Sequence, residues 1–427
     1  MEVFQRSKSF NQRALSVVSP RTLSLGSPRV NRSSFNWRRL HVLIAIGFSF
    51  SLLMAIGVVY MYVLPSLSQA FHGFGISVPS GTSDKKEGFG ISKSNYSLRD
   101  CDIFDGSWVQ ETAYPLYNAS ECPFAERGFN CLGNGRMDKD YQKWRWKPKN
   151  CDIRWFNVNE ALESLRNKRV VFVGDSMSRT QWESLICLLM TGIEDKQSVY
   201  EVNGNEITKL VRYLGVRFSS FNFTIEFFRS VFLVQHGWMP RHAPKRVRST
   251  LKLDKLDDIS NQWVDSDILI FNSGQWGCYF QVGNSLRLGM SITNAFRVAM
   301  NTWASWVENR IDPNRTRIFF RTFEPSHWSD HSRRSCNVTQ HPVSETEGRD
   351  QSLFTDTILE GVKNMTVPVT VLQITSMSAF RRDAHVGKWS DSQLVPDCSH
   401  WCLPGVPDMW NEIVFSYLLT NHGDSLQ

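Results

Sequence analysis

One continuous apolar run divides the chain into two parts that face different surroundings. From Leu40 to Leu64 the sequence is almost wholly apolar, and about 25 residues at 1.5 Å each reach roughly 37 Å, enough to cross a bilayer with some tilt. A cleaved signal peptide has a shorter apolar core and a small-residue cleavage site, and neither is evident here. A buried core helix is the alternative, but the length of the run favours a transmembrane signal anchor at residues 40–64.

The segment before this run is strongly basic. Eight Lys and Arg residues precede residue 40 against the single acid Glu2, and residues 1–39 lack hydrophobic periodicity. Such a composition predicts a disordered tail. The positive-inside rule then predicts that this tail is cytosolic and that everything after residue 65 is lumenal or outside the cell. A basic tail can bind nucleic acid, but the adjacent apolar run favours a membrane protein without a nucleic-acid partner.

The cysteines agree with this topology. All nine lie beyond the apolar run, which predicts disulfides in an oxidising compartment. A zinc site is the competing interpretation, but no CxxC pair is present, so we predict no metal. Because nine is an odd number, at least one thiol is unpaired or pairs with another chain. Six predicted glycosylation sequons lie on the same side of the run: Asn95, Asn118, Asn222, Asn314, Asn337 and Asn364.

The part after the anchor divides further by composition. Residues 65–100, dense in Ser, Gly and Lys, predict a flexible lumenal stem, and the Cys- and Trp-rich residues 101–155 predict a disulfide-braced cap. In residues 156–421 strand-like and helix-like runs alternate, which predicts a mostly parallel sheet with helices on both faces, a three-layer α/β/α domain. The predicted strands are Arg169–Val173, Asp267–Phe271, Arg317–Arg321 and Val367–Gln373. The predicted helices are Val158–Asn167, Arg179–Met190, Ile292–Asn309, Asp350–Lys363 and Met409–Leu419. Residues 200–262 fit this alternation poorly and are interpreted as insertions and loops.

The clearest functional signal is a serine between a strand and a helix. Val170–Val173 predicts a buried strand that runs into Gly174-Asp175-Ser176, with a helix behind it. A serine there can be exposed and polarised by the helix dipole, as a nucleophile requires. The Gly-x-Ser-x-Gly elbow of α/β-hydrolases is not satisfied, because Ser178 occupies the position of the second glycine. The alternative is a plain helix N-cap serine.

A second segment supplies the base that such a serine needs. Asp397 and His400 are three residues apart and are predicted to share one face of a helical turn. The Asp would fix the His tautomer and stabilise the imidazolium formed as Ser176 attacks. Such a pair in isolation more often marks a solvated turn, but two flanking cysteines brace it, and a catalytic pair needs a rigid frame. His385, with Asp383 two residues before it, is the rival base.

An acyl-transfer site also needs donors for the developing oxyanion. The backbone N–H of Ser176 is one supplier, and Asn272 and Gly274, after a predicted strand, are the best further candidates, although a plain capping Asn is an alternative. The tryptophans near these motifs, including Trp410, could stack on sugar rings. The candidate oxyanion and substrate residues are Gly174, Asp175, Arg179, Asn272, Gly274, Trp276 and Trp401.

Two sets of motif residues together are highly specific. They are Gly174, Asp175, Ser176 and Arg179, and then Asp397, Cys398, His400, Trp401, Cys402, Leu403, Pro404, Gly405, Asp408, Trp410 and Asn411. With the further segments Cys101–Val109 and Tyr141–Pro148, they resemble the plant trichome birefringence-like family from Cys101 to about Leu419. The resemblance implies an SGNH/GDSL-like fold and Golgi enzymes that O-acetylate wall polysaccharides such as xylan, mannan and pectin.

The resemblance also implies roles for particular residues. The family's catalytic serine corresponds to Ser176, and its Asp-x-x-His pair corresponds to Asp397 and His400. Its eight-cysteine pattern leaves Cys278 as the odd thiol. The cysteines implied to form disulfides are Cys101, Cys122, Cys131, Cys151, Cys187, Cys336, Cys398 and Cys402.

The sequence therefore predicts a single-pass type II Golgi membrane protein whose lumenal domain O-acetylates a cell wall polysaccharide. An acetyl donor would be a co-substrate, and no tightly bound cofactor is expected. Two alternatives stay open. One is an esterase that removes acetyl groups, since the same triad serves water as readily as sugar. The other is a non-catalytic pectin-binding protein that bridges wall polymers and maintains pectin esterification.

Overall fold

The structure is a computed structural model that describes residues 101–238, 243–274, 276, 279–329, 335–391 and 396–420. The predicted tail, anchor and stem at residues 1–100 lie outside the described residues, as do Asn95 and Cys278. In the part of the chain that is described, no helix is both long and apolar enough to cross a membrane. The other five sequon asparagines are exposed, so they remain accessible candidates for glycosylation.

Strands and helices alternate through most of the described chain. In chain order the strands are β1 (Gly106–Gln110), β2 (Trp144–Pro148), β3 (Arg169–Gly174), β4 (Val199–Glu201), β5 (Tyr213–Phe218), β6 (Phe223–Arg229), β7 (Val234–Trp238), β8 (Ser249–Leu256), β9 (Ile268–Asn272), β10 (Tyr279–Val282), β11 (Ser285–Leu286), β12 (Arg317–Arg321), β13 (Val369–Leu372), β14 (His385–Gly387) and β15 (Asp397–Trp401). The α-helices are α1 (Val158–Ser164), α2 (Ser176–Met190), α3 (Ile292–Arg310), α4 (Leu353–Lys363), α5 (Ile374–Ala379) and α6 (Val406–Thr420).

A seven-stranded mixed sheet forms the centre of the fold. Its strand order is β13-β12-β9-β3-β6-β5-β4. The five strands from β13 to β6 are parallel, and β5 and β4 extend one edge in antiparallel pairing. Strands β3 and β9 lie inside the sheet, so the loops at their C-terminal ends are neighbours, which is where ligands bind in open α/β sheets.

Side chains alternate between the two faces of this sheet, and each face packs on helices. In β3, Val170 and Phe172 join the core that includes apolar residues of α1, α2 and α6. Val171 and Val173 join the opposite core, which includes residues of α3 and α4. Because both faces are covered, β3 is apolar at every position from 170 to 173, as the buried parts of parallel strands are. The α/β/α layering predicted from the sequence is therefore confirmed, with two antiparallel edge strands in addition.

The N-terminal cap, residues 101–155, packs on the same side of the sheet as α2 and α6. It contains the antiparallel pair β1–β2, and its buried rings, including Trp146 and Tyr141, belong to the α2/α6 core. The structure pairs all eight cysteines of the predicted set. The disulfides are Cys101–Cys151, Cys122–Cys187, Cys131–Cys402 and Cys336–Cys398. The first closes the cap internally, and the next two join the cap to α2 and to the segment before α6.

The interpretation of residues 200–262 as insertions and loops is wrong. This region contributes β5 and β6 to the main sheet, and β7 and β8 to a separate four-stranded sheet of order β11-β10-β8-β7. The apolar pattern of β6 is interrupted by Glu226, which is buried and paired with Arg169 of the adjacent strand β3 at 2.6 Å. Because of this buried charge, the sequence pattern of β6 did not indicate a strand inside the sheet. The short helix α5 was also not predicted.

Candidate active site

Ser176 begins helix α2 directly after strand β3. Asp175 is the N-cap, and its carboxylate accepts a hydrogen bond from the Met177 N–H at 2.9 Å, as N-cap residues do. Ser176 is partly exposed, whereas every other residue of α2 is buried. The hydroxyl group is therefore the accessible polar group at the positive end of this helix.

Contacts between the ends of β3 and β9 fix the turn that carries Ser176. The Asn272 side chain accepts a hydrogen bond from the Asp175 N–H at 3.2 Å and donates one to the Asp175 carboxylate at 2.9 Å. A Cβ atom at position 174 would lie 1.8 Å from the Asn272 Oδ1 atom, so glycine is required there. Asn272, one of the predicted oxyanion donors, thus uses its side-chain oxygen and one N–H to fix the turn. The second N–H of its amide can still serve as a donor. A Cβ atom at Gly274 would lie 2.4 Å from the ring of Phe323, so this glycine is required for packing.

The structure brings His400 and Asp397 to this serine from the other end of the chain. The His400 Nε2 atom lies 2.7 Å from the Ser176 hydroxyl oxygen, and the Nδ1 atom lies 2.6 Å from the Asp397 Oδ2 atom. Because a carboxylate can only accept, Nδ1 carries the proton in this arrangement and Nε2 is free to accept from the serine. Both side chains of the pair are about one quarter exposed.

Asp397 is ionised in this environment. Burial alone would raise the pKa of Asp397, but the hydrogen bond from His400 and the favourable electrostatic interaction with its imidazole outweigh it. The backbone N–H groups of Ser399 and His400 also donate to this carboxylate, at 2.9 and 3.0 Å. The net effect holds the pKa of Asp397 well below its usual range.

The prediction that Asp397 and His400 share a helical turn is wrong. Both belong to β15, which pairs in antiparallel fashion with β14. The close approach arises because the Asp397 side chain accepts from the backbone two and three residues ahead of it, the local bonding that Asp favours in turns. Two disulfides, through Cys398 and Cys402, attach the ends of this strand to the rest of the protein.

The rival base, His385, does not reach the serine. It is fully buried in β14, and its ring stacks on that of Trp401 with centroids 4.0 Å apart. Its Nε2 atom lies 2.7 Å from Nδ1 of His327, and its Nδ1 atom lies 3.0 Å from the His400 carbonyl oxygen. Burial lowers the pKa of His385 well below its usual value, so its ring is a neutral support for the strand of His400.

Two of the tryptophans proposed to stack on sugars are unavailable. Trp401 and Trp410 are completely buried. Trp410 packs under the Arg321 guanidinium, 4.4 Å from its ring centroid. Trp276 is partly buried among other rings and donates to the Ser273 hydroxyl at 3.0 Å. The sequence identified these rings by type, and burial rules out the first two as sugar platforms.

The motif residues that follow His400 hold helices together. The Asp408 carboxylate accepts from the hydroxyl groups of Ser184 (2.6 Å) and Tyr117 (3.0 Å) and from the Gly405 N–H (2.7 Å). Burial raises its pKa to about 7. Asn411 exchanges hydrogen bonds with α2, donating to the Ser184 hydroxyl at 2.9 Å. This part of the motif therefore joins α6 to α2 and to the cap.

Arg179 does not point into an open substrate site. Its side chain is buried, and its guanidinium forms ion pairs with Glu183 at 2.6 Å and with Glu126 of the cap. Burial raises the pKa of Glu183 to about 8, against the opposing effect of Arg179. Phe129 of the cap was not predicted to belong to the site, yet it lies against the imidazole of His400. Its only sequence signal is that it lies two residues before Cys131, one of the eight cysteines expected to form disulfides.

Comparisons with known proteins show which family this chain resembles. Residues 153–417 match a GDSL/SGNH-like acyl-esterase family found in Pmr5 and Cas1p, and residues 99–152 match the PMR5 N-terminal domain. The chain is 58% identical to Arabidopsis thaliana trichome birefringence-like 7 over 98% of this chain and 99% of that protein. It is 38% identical to trichome birefringence-like 6 (81% and 74% covered) and 39% identical to trichome birefringence-like 9 (77% and 86%), both from the same plant. In the described residues no group of three or more His, Cys, Asp or Glu side chains could hold a metal ion.

Proposed function

The chain belongs to the trichome birefringence-like family, and from that premise we propose that it is a polysaccharide O-acetyltransferase of the plant cell wall. Ser176 is the nucleophile, His400 the general base and Asp397 the residue that orients it. The acceptor is a wall polymer of the xylan, mannan or pectin type, and the acetyl donor is a co-substrate. The protein acts in the Golgi lumen, anchored by residues 40–64, and four disulfides support an oxidising compartment.

One observation carries the proposal: the continuous hydrogen-bond chain from the Ser176 hydroxyl through His400 to Asp397, with links of 2.7 and 2.6 Å. Nucleophile, base and orienting carboxylate within hydrogen-bond distance are the geometric signature of covalent acyl transfer. An N-cap serine needs none of these partners, and here Asp175 already caps the helix. The arrangement is therefore better explained by chemistry than by helix capping.

The reaction has two acyl-transfer steps. In the first, the Ser176 oxygen attacks the acetyl carbonyl carbon of the donor while its proton passes to the Nε2 atom of His400. The tetrahedral intermediate collapses, the bond to the donor breaks, and the leaving group takes the proton from His400. In the second, a sugar hydroxyl gives its proton to Nε2 and attacks the acetyl ester. The bond to Ser176 breaks, and the serine oxygen recovers the proton.

The oxyanion in both steps needs donors near the serine. We assign this role to the backbone N–H of Ser176, with the remaining amide hydrogen of Asn272 and the N–H of Gly274 as further donors. The first lies at the N-terminus of α2, where helix N–H groups are free and the dipole favours negative charge.

The test is an acetyl-transfer assay on the purified full-length chain, with an acetyl donor and deacetylated xylan, mannan or pectin oligomers read by mass. Ser176→Ala and His400→Ala should each lose transfer by orders of magnitude, because triad members act as a unit. His236→Ala, an exposed histidine on β7, is the matched control and should keep full activity. Acetate release from acetylated oligomers without transfer would favour the esterase. Binding without either reaction, unchanged in the two triad variants, would favour the bridging protein and refute the proposal.

A further inference from the structure

The imidazole of His400 makes two hydrogen bonds in the plane of its ring and one aromatic contact on its face. Its two nitrogens face Asp397 and Ser176. Contacts through both nitrogens leave the ring free to tilt about the line that joins them. The ring of Phe129 lies against the imidazole, with centroids 5.5 Å apart and planes inclined by 30°. An aromatic face in this position restricts that tilt.

Phe129 is itself fixed by backbone and covalent contacts. Its side chain is 5% exposed, and its carbonyl oxygen accepts from the Leu403 N–H at 2.8 Å. Two residues later, Cys131 forms a disulfide with Cys402. The cap segment that carries the ring is therefore attached to the residues that directly follow His400, so the ring and the imidazole are held as one unit.

An ion cluster joins the same cap segment to the helix of the nucleophile. Glu126 pairs with Arg179 of α2, which also pairs with Glu183 at 2.6 Å. The Glu126 N–H donates to the Glu183 carboxylate at 2.9 Å, and the Arg179 guanidinium lies 5.1 Å from the Phe129 ring centroid. Buried charges of this kind need well-placed partners. The cluster thus fixes where Phe129 lies relative to the N-terminal half of α2, which begins with Ser176.

From these contacts we infer that Phe129 is a positioning residue for His400, and that the N-terminal cap thereby forms part of the active site. This inference rests on the role proposed above for His400. Phe129 touches no reacting atom in this arrangement. Its ring holds the imidazole in line between serine and carboxylate, and its face favours the imidazolium that forms when Ser176 gives up its proton. Asp397 on the same strand contacts the imidazole of His400, His385 on β14 bonds to the His400 carbonyl oxygen, and Arg179 lies against the Phe129 ring.

The test compares Phe129→Leu with Phe124→Leu in the full-length chain. Phe124 is 6% exposed in the same core of the cap, so both changes remove one buried ring from the same module. Phe129→Leu should lower kcat by about tenfold or more with the KM for polysaccharide within twofold, because misorientation affects the chemical step. Phe124→Leu should leave kcat within twofold. Phe129→Tyr, which keeps the ring, should restore most of the rate.

A second measurement does not depend on activity. The rate of His400 modification by diethyl pyrocarbonate at one fixed pH, followed by mass on its peptide, reports how well the imidazole is held and covered. Loss of the ring that lies against it should raise that rate several-fold in Phe129→Leu and leave it unchanged in Phe124→Leu. If both leucine variants give the same kcat and the same His400 modification rate, the inference is wrong. If wild-type protein transfers no acetyl group yet Phe129→Leu raises the modification rate, the proposed function fails and the positioning role stands.

Discussion

Replacing Asp397 by Asn should remove most of the activity while leaving the fold intact, because its two carboxylate oxygens have different hydrogen-bond partners. The Asp397 Oδ1 atom accepts the two backbone hydrogen bonds, from Ser399 and His400, and an Asn side-chain oxygen can accept both. The Oδ2 atom, which accepts from His400 Nδ1 at 2.6 Å, becomes an NH₂ group that can only donate. The imidazole must then present its Nδ1 lone pair and carry its proton on Nε2. An Nε2–H cannot accept the proton of Ser176.

The expected loss in kcat is about 10⁴-fold, the cost of the wrong tautomer in serine triads, which corresponds to about 5.4 kcal/mol of transition-state stabilisation. The free energy of unfolding should change by no more than about 1 kcal/mol, because one hydrogen bond is exchanged for another. Acetyl transfer and denaturant unfolding are measured on the same full-length preparation. Asp265→Asn, the same change at an exposed ion pair, is the control. A loss of less than tenfold in a natively folded Asp397→Asn variant would refute the tautomer argument.

Three further predictions concern stability and are each checked by denaturant unfolding. The double variant Cys131→Ala/Cys402→Ala opens a loop closed across 271 residues and should lose roughly 5–6 kcal/mol in the chain-entropy model; a loss below 2 kcal/mol would contradict it. Asp408→Ala leaves three donors without an acceptor and should cost about 3 kcal/mol, whereas a loss under 1 kcal/mol would show that water replaces the carboxylate. Burial lowers the pKa of His327 from 6.5 to about 4, so the unfolded chain binds a proton first and stability should fall by up to about 3 kcal/mol as pH drops through that window. His327→Gln should reduce the slope of this part of the pH profile and leave the contribution of His385, whose pKa burial also lowers; an unchanged slope would assign the whole effect to other groups.

The strands that could be predicted are those covered on both faces. The central residues of β3, β9 and β12 (170–173, 268–271 and 318–320) are all apolar because helices pack on each side of the sheet. The predicted bounds of these strands lie within one residue of those observed. Strand β6 could not be recognised in the same way, because it contains the buried charge of Glu226. The sheet accommodates this charge through Arg169, which lies 57 residues earlier in the sequence. Pairing between distant residues is not visible in a local pattern.

The same distinction between local pattern and long-range contact applies to the residues of the candidate site. Ser176, Asp397 and His400 could be selected because their chemistry and motif mark them, and the structure brings them together. Residue type did not reveal burial, so Trp401 was wrongly proposed as a sugar platform. Phe129 has no reactive group and belongs to no catalytic motif. Its proposed role depends on its position against His400, which the fold establishes between residues more than 250 positions apart in the sequence.

The disulfide between Cys131 and Cys402 also imposes an order on biosynthesis. A chain emerging from the ribosome at about 5–20 residues per second exposes Cys131 roughly 15–55 s before its partner, 271 residues later, has been made. Throughout that interval the thiol must avoid Cys122 and Cys187, which become available earlier and belong to each other. Covalent attachment of the cap to the segment before α6 therefore has to wait until Cys402 has been made. Until Cys402 has been made, any disulfide that Cys131 forms with another cysteine must be reversed by thiol–disulfide exchange.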